Sequence, residues 1–363
     1  MIEYIKNWYQ RHFSDPQVII LALILIGLLA CVILLGDILA PVIAAVVLAY
    51  VLEGPVTRLV RLKVPRTLAV SLVLLVFVVL CFFAFFGIIP LLTRQLTQLV
   101  RELPNMLAQG QAYLLLLPER YPTLFSEQQI QSLMNTLRNE LLLIGQEFLS
   151  VSLTKVVTVF SFLVYVVVVP ILVFFGLKDK AMIQAWFERF LPRKRDLSIQ
   201  VWRQVNDKIG SYIRGKIIEI GIIWLITYVT FEVMGLHYAM LLSFLVGISV
   251  IIPYVGAILV TFPVAIIAYF QWSIGVEFWY LLGAYLVIQI LDGNVLVPIL
   301  FSEVVNLHPV AIIVSILFFG GIWGVWGVFF AIPLATLIDT VINAWPDFKE
   351  PARPELFGEN QPG

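Results

Sequence analysis

Residues 67–93 read TLAVSLVLLVFVVLCFFAFFGIIPLLT, 27 positions without a charged side chain, closed at either end by Arg66 and Arg94. A bilayer core about 30 Å thick takes roughly 20 apolar helical residues to cross, because lipid cannot hydrogen-bond an open backbone. The stretch therefore reads as a membrane-spanning helix. Residues 18–36 and 156–177 are equally free of charge and read the same way. A shorter run, 38–52, is bounded by Asp37 and Glu53 and carries Pro41 near its start, where a proline is tolerated. It is taken as a separate span, with Asp37 as the boundary.

The whole chain agrees with these runs. Of 363 residues 61% are hydrophobic and 13% charged, with a mean hydropathy of +0.99, which places the chain among integral membrane proteins. Lys plus Arg and Asp plus Glu number 23 each, so no basic excess points to nucleic acid. Cys31 and Cys81 sit in apolar runs and read as small hydrophobes, not as a disulfide or metal site. The first run is too long for a signal peptide and is followed by no cleavage pattern, so it is expected to stay in the chain.

After residue 216 come apolar segments at 217–236, 238–270, 278–300 and 307–344. The expectation is an all-α polytopic membrane protein with about eight transmembrane helices, some of them broken or re-entrant. Six regions follow. Residues 1–92 hold transmembrane helices 1–3, 93–152 a helical extracytoplasmic insert and 153–177 helix 4. Residues 178–216 form an amphipathic cytoplasmic segment, 217–345 a transmembrane region with broken helices, and 346–363 a disordered tail.

Basic residues orient the chain, since cytoplasmic loops retain them. Arg58, Arg61, Lys63 and Arg66 make one purely basic loop, and 178–216 holds ten Lys or Arg against four acids. Both are expected inside. Two spans lie between them, so the insert, with four Arg and five Glu over 94–152, is expected outside and both termini inside. Within the insert Ile130, Leu133, Met134, Leu137, Leu141 and Ile144 recur at helical spacing. On the inner side Leu197, Val201, Val205, Ile209 and Ile213 step by four, with basic residues on other faces. These amphipathic helices suit packing against the chain itself and against membrane lipid, or contact with a partner.

The polar residues of the second half carry the functional signal. From 217 to 348 there is no Lys or Arg, yet seven acids occur. An ionised carboxylate in the bilayer costs at least about 2.5 kcal/mol, so such an acid is protonated, binds a cation or faces water. Glu277, Glu303 and Asp347 fall in loops or past the last span, and Glu232 marks a helix end. Glu219 lies about one turn inside its helix, three residues after Lys216. Asp292 interrupts an apolar run within Gln289-Ile290-Leu291-Asp292-Gly293-Asn294, with Pro298 following. Asp292, Asn294, Gln289 and Glu219 are the candidate substrate or ion path; the alternative for Asp292 is a hydrogen-bonded structural break.

Two segments are too long for a simple crossing. Residues 238–270 would make a helix about 50 Å long and contain Pro253, Tyr254, Gly256 and Pro263. Residues 307–344 are longer and contain Gly320, Gly321, Gly324, Gly327 and Pro333. Interruptions are expected at 251–257 and 319–328, either as kinks or as paired half-helices of the kind transporters use at the midplane. The nucleotide-binding, hydrolase and zinc-protease motifs are missing from the sequence. No enzyme activity, cofactor or metal is expected.

Several short motifs, in order, carry a resemblance. They are the run from Pro41 to Pro55, Phe174-Phe175-Gly176-Leu177-Lys178-Asp179, Tyr212-Ile213-Arg214-Gly215-Lys216, Ile252-Pro253-Tyr254-Val255-Gly256, Asp292-Gly293-Asn294, Leu307-His308-Pro309 and Ala331-Ile332-Pro333-Leu334. Together they resemble the autoinducer-2 exporter family and, within it, its PerM-type permeases. The resemblance implies a multi-pass bacterial inner-membrane protein forming homo-oligomers, pentamers among them. It also implies export of a small polar signal or exchange of a monovalent cation. Lys216 departs from the glutamine common there and sets a positive charge beside Glu219. A membrane scaffold that transports nothing and binds partners through its amphipathic segments is the competing function.

Overall fold

A computed structural model describes residues 16–114, 128, 131–132, 134–136, 139–140, 156–188, 196–253, 255–301 and 307–344. Among the described residues every regular element is a helix. They are α1 (Pro16–Arg61), α2 (Arg66–Phe83), α3 (Ile89–Leu114), α4 (Val156–Lys178), α5 (Lys180–Glu188) and α6 (Asp196–Val233), followed by α7 (Ala239–Ser249), α8 (Val255–Trp272), α9 (Val276–Leu291), α10 (Val297–Phe301) and α11 (Pro309–Ala344). Single π-helical segments join α2 to α3 over Ala84–Ile88 and α9 to α10 over Asp292–Leu296. Five stretches are long and apolar enough to cross a membrane: Ile38–Arg61, Arg66–Ala112, Val255–Trp272, Val276–Phe301 and Pro309–Val341. The protein is an all-α polytopic membrane protein.

The boundary expected at Asp37 is absent. Helix α1 runs 46 residues without a turn, about 69 Å at 1.5 Å per residue, where two spans were expected. Gly36 has a packing reason instead of a turning one. A β-carbon on it would lie 3.0 Å from the indole nitrogen of Trp323, so the glycine lets the helix approach an aromatic ring. A lone glycine costs a helix only about 1 kcal/mol, too little to end one flanked by strong helix formers.

The chain folds as two compact units, the first drawn from 1–54, 175–217 and 297–363 and the second from 55–174 and 218–296. In the first unit Tyr212, Ile213, Phe301, Ile312 and Ile332 form the buried core, flanked by Val47 and Tyr50 of α1. Gly210 and Gly215 let α6 come close: a β-carbon on the first would sit 3.1 Å from the Tyr50 ring, and one on the second 2.8 Å from the Phe301 ring.

The second unit is built around α6–α9. Phe231, Leu242, Val246, Val264, Ala268 and Leu281 are fully buried at its centre, and Leu99 of α3 packs against them. Helix α3 continues α2 well past residue 93, so the first part of the expected insert is an extension of a span. The described residues between 128 and 140 are helical, and Met134 of the expected apolar stripe is buried.

Candidate transport site

The apolar stretch 238–270 is two helices. Helix α7 ends at Ser249, whose hydroxyl donates to the Val246 carbonyl at 2.8 Å, and α8 starts at Val255. Proline at 253 disfavours helical backbone at Ile252 and itself offers no N–H, which stops the helix there. The turn then closes on Gly256, where a β-carbon would overlap the Ser249 carbonyl.

Helices α7 and α8 form a hairpin. Near the far end of α8, Gln271 accepts from the His237 N–H and donates to the Gly235 carbonyl, both at 2.7 Å. The exit of α8 thus lies beside the entry to α7. That entry is unusual: Gly235 and Tyr238 hold φ of 71° and 59°, and Tyr238 offers α7 no side-chain cap. Gln95 of α3 caps it from outside, accepting from the Leu241 N–H at 2.8 Å. At 11 residues, α7 is about 16 Å long, half a bilayer.

The first unit contains a second reversal. Inside α11, Gly324 takes φ 60° and ψ −137°, a left-handed conformation that glycine alone adopts freely. Phe319 and Gly327 would be about 12 Å apart along a straight helix. Instead a β-carbon on Gly327 would overlap the Phe319 carbonyl, and one on Gly320 would sit 2.8 Å from Val328 Cγ2. The two arms therefore double back on each other. Beside the pivot, Trp323 and Trp326 stack on Phe330 with centroids 5.9 and 6.4 Å apart.

The break residues expected from sequence thus take different roles. Pro253 lies in the first turn and Gly256 seals it; Gly324 is the second pivot, Gly327 seals that hairpin and Gly320 packs across it. Gly321 has open space around it, and Pro333 is buried in the returning arm. Tyr254 lies outside the described residues.

Helix α9 begins four residues after α8 ends, beside the entry to α7, and so runs antiparallel to α6. The rings of Phe231 and Tyr285 pair across the two helices at 6.1 Å. Farther along α9 the helix widens into the π segment Asp292–Leu296. Gly293 resists that deformation least, and Pro298 has no N–H for the Asn294 carbonyl four residues back. The Asn294 side-chain amide donates to the Ile290 carbonyl at 2.9 Å, satisfying a backbone acceptor as the ladder loosens. Single-turn π-bulges of this kind recur at functional sites.

The structure keeps Gln289, Asp292 and Asn294 together on this one stretch. Gln289 and Asp292 are half-buried, with one Asp292 oxygen fully enclosed, while Asn294 is exposed. Glu219 is on α6 and only 2% exposed. Counted from the Phe231–Tyr285 pair, Asp292 is about 10 Å along α9 and Glu219 about 18 Å along α6, both toward the same end of the unit. Lys216 is also buried, in the first unit, with Nζ 5.0 Å above the Phe301 ring and 6.0 Å from that of Tyr212. Such cation–π contact offsets part of the desolvation of an ammonium. Among the described residues no three His, Cys, Asp or Glu gather as a metal site.

Comparison with known proteins fits this architecture. The family model described as AI-2E family transporter matches residues 20–347. The chain belongs to the AI-2E transporter family. An Escherichia coli (strain K12) protein named "Putative permease PerM" is 46% identical, over 96% of this chain and 98% of its own. Two Bacillus subtilis (strain 168) proteins are more distant. One, named "Putative transport protein YueF", is 28% identical over 80% of this chain and 79% of its own; the other, "Putative transport protein YrrI", is 26% identical over 83% and 85%. As an AI-2E member the chain is a multi-pass bacterial membrane protein in contact with lipid, of a family of transporters and not of enzymes.

The sequence alone did not mark Gln95 or Gln271. Each reads as an ordinary polar residue near a helix end, and only the fold brings its amide to an open backbone group.

Proposed function

We propose that this AI-2E protein is an inner-membrane permease that moves a small polar solute, of the autoinducer-2 type, or a monovalent cation. The observation that carries the reading is the π segment at Asp292–Leu296, a polar widening within an apolar helix of a half-chain that has no Lys or Arg. Asp292 with Gln289 supplies polar contacts there, and Glu219 supplies a second buried carboxylate. The glycine-sealed hairpins serve as gates, because their tips are held by close backbone packing that a small shift can open or shut.

The basic loops orient this permease with 58–66 and 178–216 in the cytoplasm and the 94–152 insert outside. The carboxyl-terminal tail is then cytoplasmic. The amino terminus is cytoplasmic too if residues 18–36 form a span of their own, which requires the chain to reverse near Asp37; α1 as a single crossing puts it outside. Homo-oligomers, pentamers included, are in keeping with the family resemblance.

The test is flux into proteoliposomes containing the purified protein, with labelled small polyols and with lithium or sodium under an imposed proton gradient. Transport of one class above protein-free vesicles supports the reading and names the solute. No flux of either class by folded protein, together with capture of a defined partner by the amphipathic segments, would favour the scaffold instead.

A further inference from the structure

Two buried donors in the second unit make no hydrogen bond, Trp224 Nε1 and Thr227 Oγ1, and the enclosed amide nitrogen of Gln289 has only the Tyr285 hydroxyl beside it. Leaving such groups unsatisfied carries a desolvation penalty, and native proteins keep them rare. Their placement is not scattered. Phe231 and Tyr285 pair across antiparallel α6 and α9, so Thr227, one turn back on α6, and Gln289, one turn on along α9, share a level. Trp224 is a further turn along α6, its ring held edge-on to Phe244 of α7 with centroids 5.9 Å apart.

The other side of this level is polar as well. The Tyr285 hydroxyl lies 3.3 Å from Thr261 Oγ1 and 3.5 Å from the Ala257 carbonyl, at the start of α8 just past the hairpin tip. At this one level α6 and α9 carry donors, and α8 and α9 carry hydroxyl and carbonyl oxygens. A buried water needs two to four polar partners, and this layer supplies both donors and acceptors.

We infer that ordered water occupies a seam between α6, α8 and α9 bordered by Trp224, Thr227, Gln289 and Tyr285. The seam runs beneath the tip of the α7–α8 hairpin and ends one helical turn from Asp292, so its water hydrates the approach to that carboxylate from inside the protein. The ligand is water, held by a donor-rich wall that an apolar core would not contain.

X-ray radiolysis of water produces hydroxyl radicals in place, so side chains beside ordered water are oxidised even when shielded from bulk solvent. The full-length protein in lipid nanodiscs is irradiated and residue oxidation is read by mass spectrometry, each rate corrected for intrinsic reactivity. Tyr285 should oxidise at a rate near that of Trp186, exposed on α5 outside the spans, while Phe231, as deeply buried as Tyr285, stays slow. Thr227→Val with Gln289→Leu should lower labelling at Trp224 and Tyr285 and leave Trp186 unchanged. A rate at Tyr285 as low as at Phe231 in the unmodified protein would overturn the inference, and that arm needs no variant to fold. Suppression of this labelling by millimolar polyol, with Trp186 unaffected, would make the occupant a solute and equally overturn it. Labelling reads the seam whether or not flux is found, so its failure is separable from failure of the transport reading.

Discussion

The α-carbon of Gly256 rests on the Ser249 carbonyl, so closely that any β-carbon on the glycine would overlap that oxygen. Gly327 stands in the same relation to Phe319 in the other unit. Neither oxygen can yield as a side chain yields, because each belongs to the backbone of the opposing arm. Gly256→Ala and Gly327→Ala should each destabilise the protein by roughly 2 kcal/mol, as overpacking does. Gly221 and Gly283 are matched controls: they lie inside helices with nothing near a prospective β-carbon, so alanine there should be neutral or stabilising by up to about 1 kcal/mol. Thermal unfolding of the four variants in one detergent checks the contrast. Equal stability of all four would remove the sealing role.

Gln271 holds the base of the α7–α8 hairpin through two backbone contacts on either side of the α6–α7 turn. Gln271→Ala should cost about 0.5–1.5 kcal/mol per lost bond at most, since both backbone groups are exposed and water can take the place of the amide. Gln271→Glu should be no milder, because it keeps the acceptor for His237 but sets a carboxylate oxygen against the Gly235 carbonyl oxygen to which the amide donated. Hydrogen exchange over residues 235–242 is the suitable readout: protection should fall in both variants. No change in that window would mean the turn stands without the amide.

Topology is decided by labelling single cysteines, introduced after Cys31 and Cys81 are replaced, with a membrane-impermeant maleimide on intact cells. A cysteine at Gln128 should react, and one at Lys63 should react only after permeabilisation. The informative third position is Glu3. A continuous α1 makes one crossing and leaves residue 3 reactive from outside; protection until permeabilisation would show that the chain reverses near Asp37 within the bilayer.

Helix class and spans were legible because charge-free runs of more than 20 residues have few folded solutions in lipid. The interruptions were legible where proline and glycine crowd an apolar segment too long for one crossing, as at Pro253 and Gly324. That each segment doubles back was not. The reversal depends on Gly256 meeting Ser249 and Gly327 meeting Phe319, pairings seven and eight residues apart, a spacing that a continuous helix also sets on one face, so the sequence period does not separate the two. Asp37 misled for the opposite reason: a charge in an apolar run resembles a loop, while Gly36 beside it serves contact with Trp323. The polar set at Gln289, Asp292 and Asn294 stood out on charge alone, but its π-helical backbone depends on Gly293 and Pro298 acting together.

Asp292 is where the transport reading is most exposed to test. Asp292→Asn keeps the size and planarity of the side chain and removes its charge, so the π segment should persist; Asn294→Ala tests the backbone separately, since it deprives the Ile290 carbonyl of its side-chain donor, at a cost of about 1 kcal/mol. If Asp292 carries a cation or a proton, the Asn variant should lose ion- or pH-dependent flux in proteoliposomes while unfolding at the wild-type temperature. If the solute is neutral, flux should weaken with its pH profile kept, because only one contact has changed character. Asp292→Ala should be the more severe variant in either case, having lost the hydrogen-bonding oxygen as well as the charge. Wild-type flux in both folded Asp292 variants would assign the carboxylate to holding the helix break and leave the permeation path elsewhere in the protein.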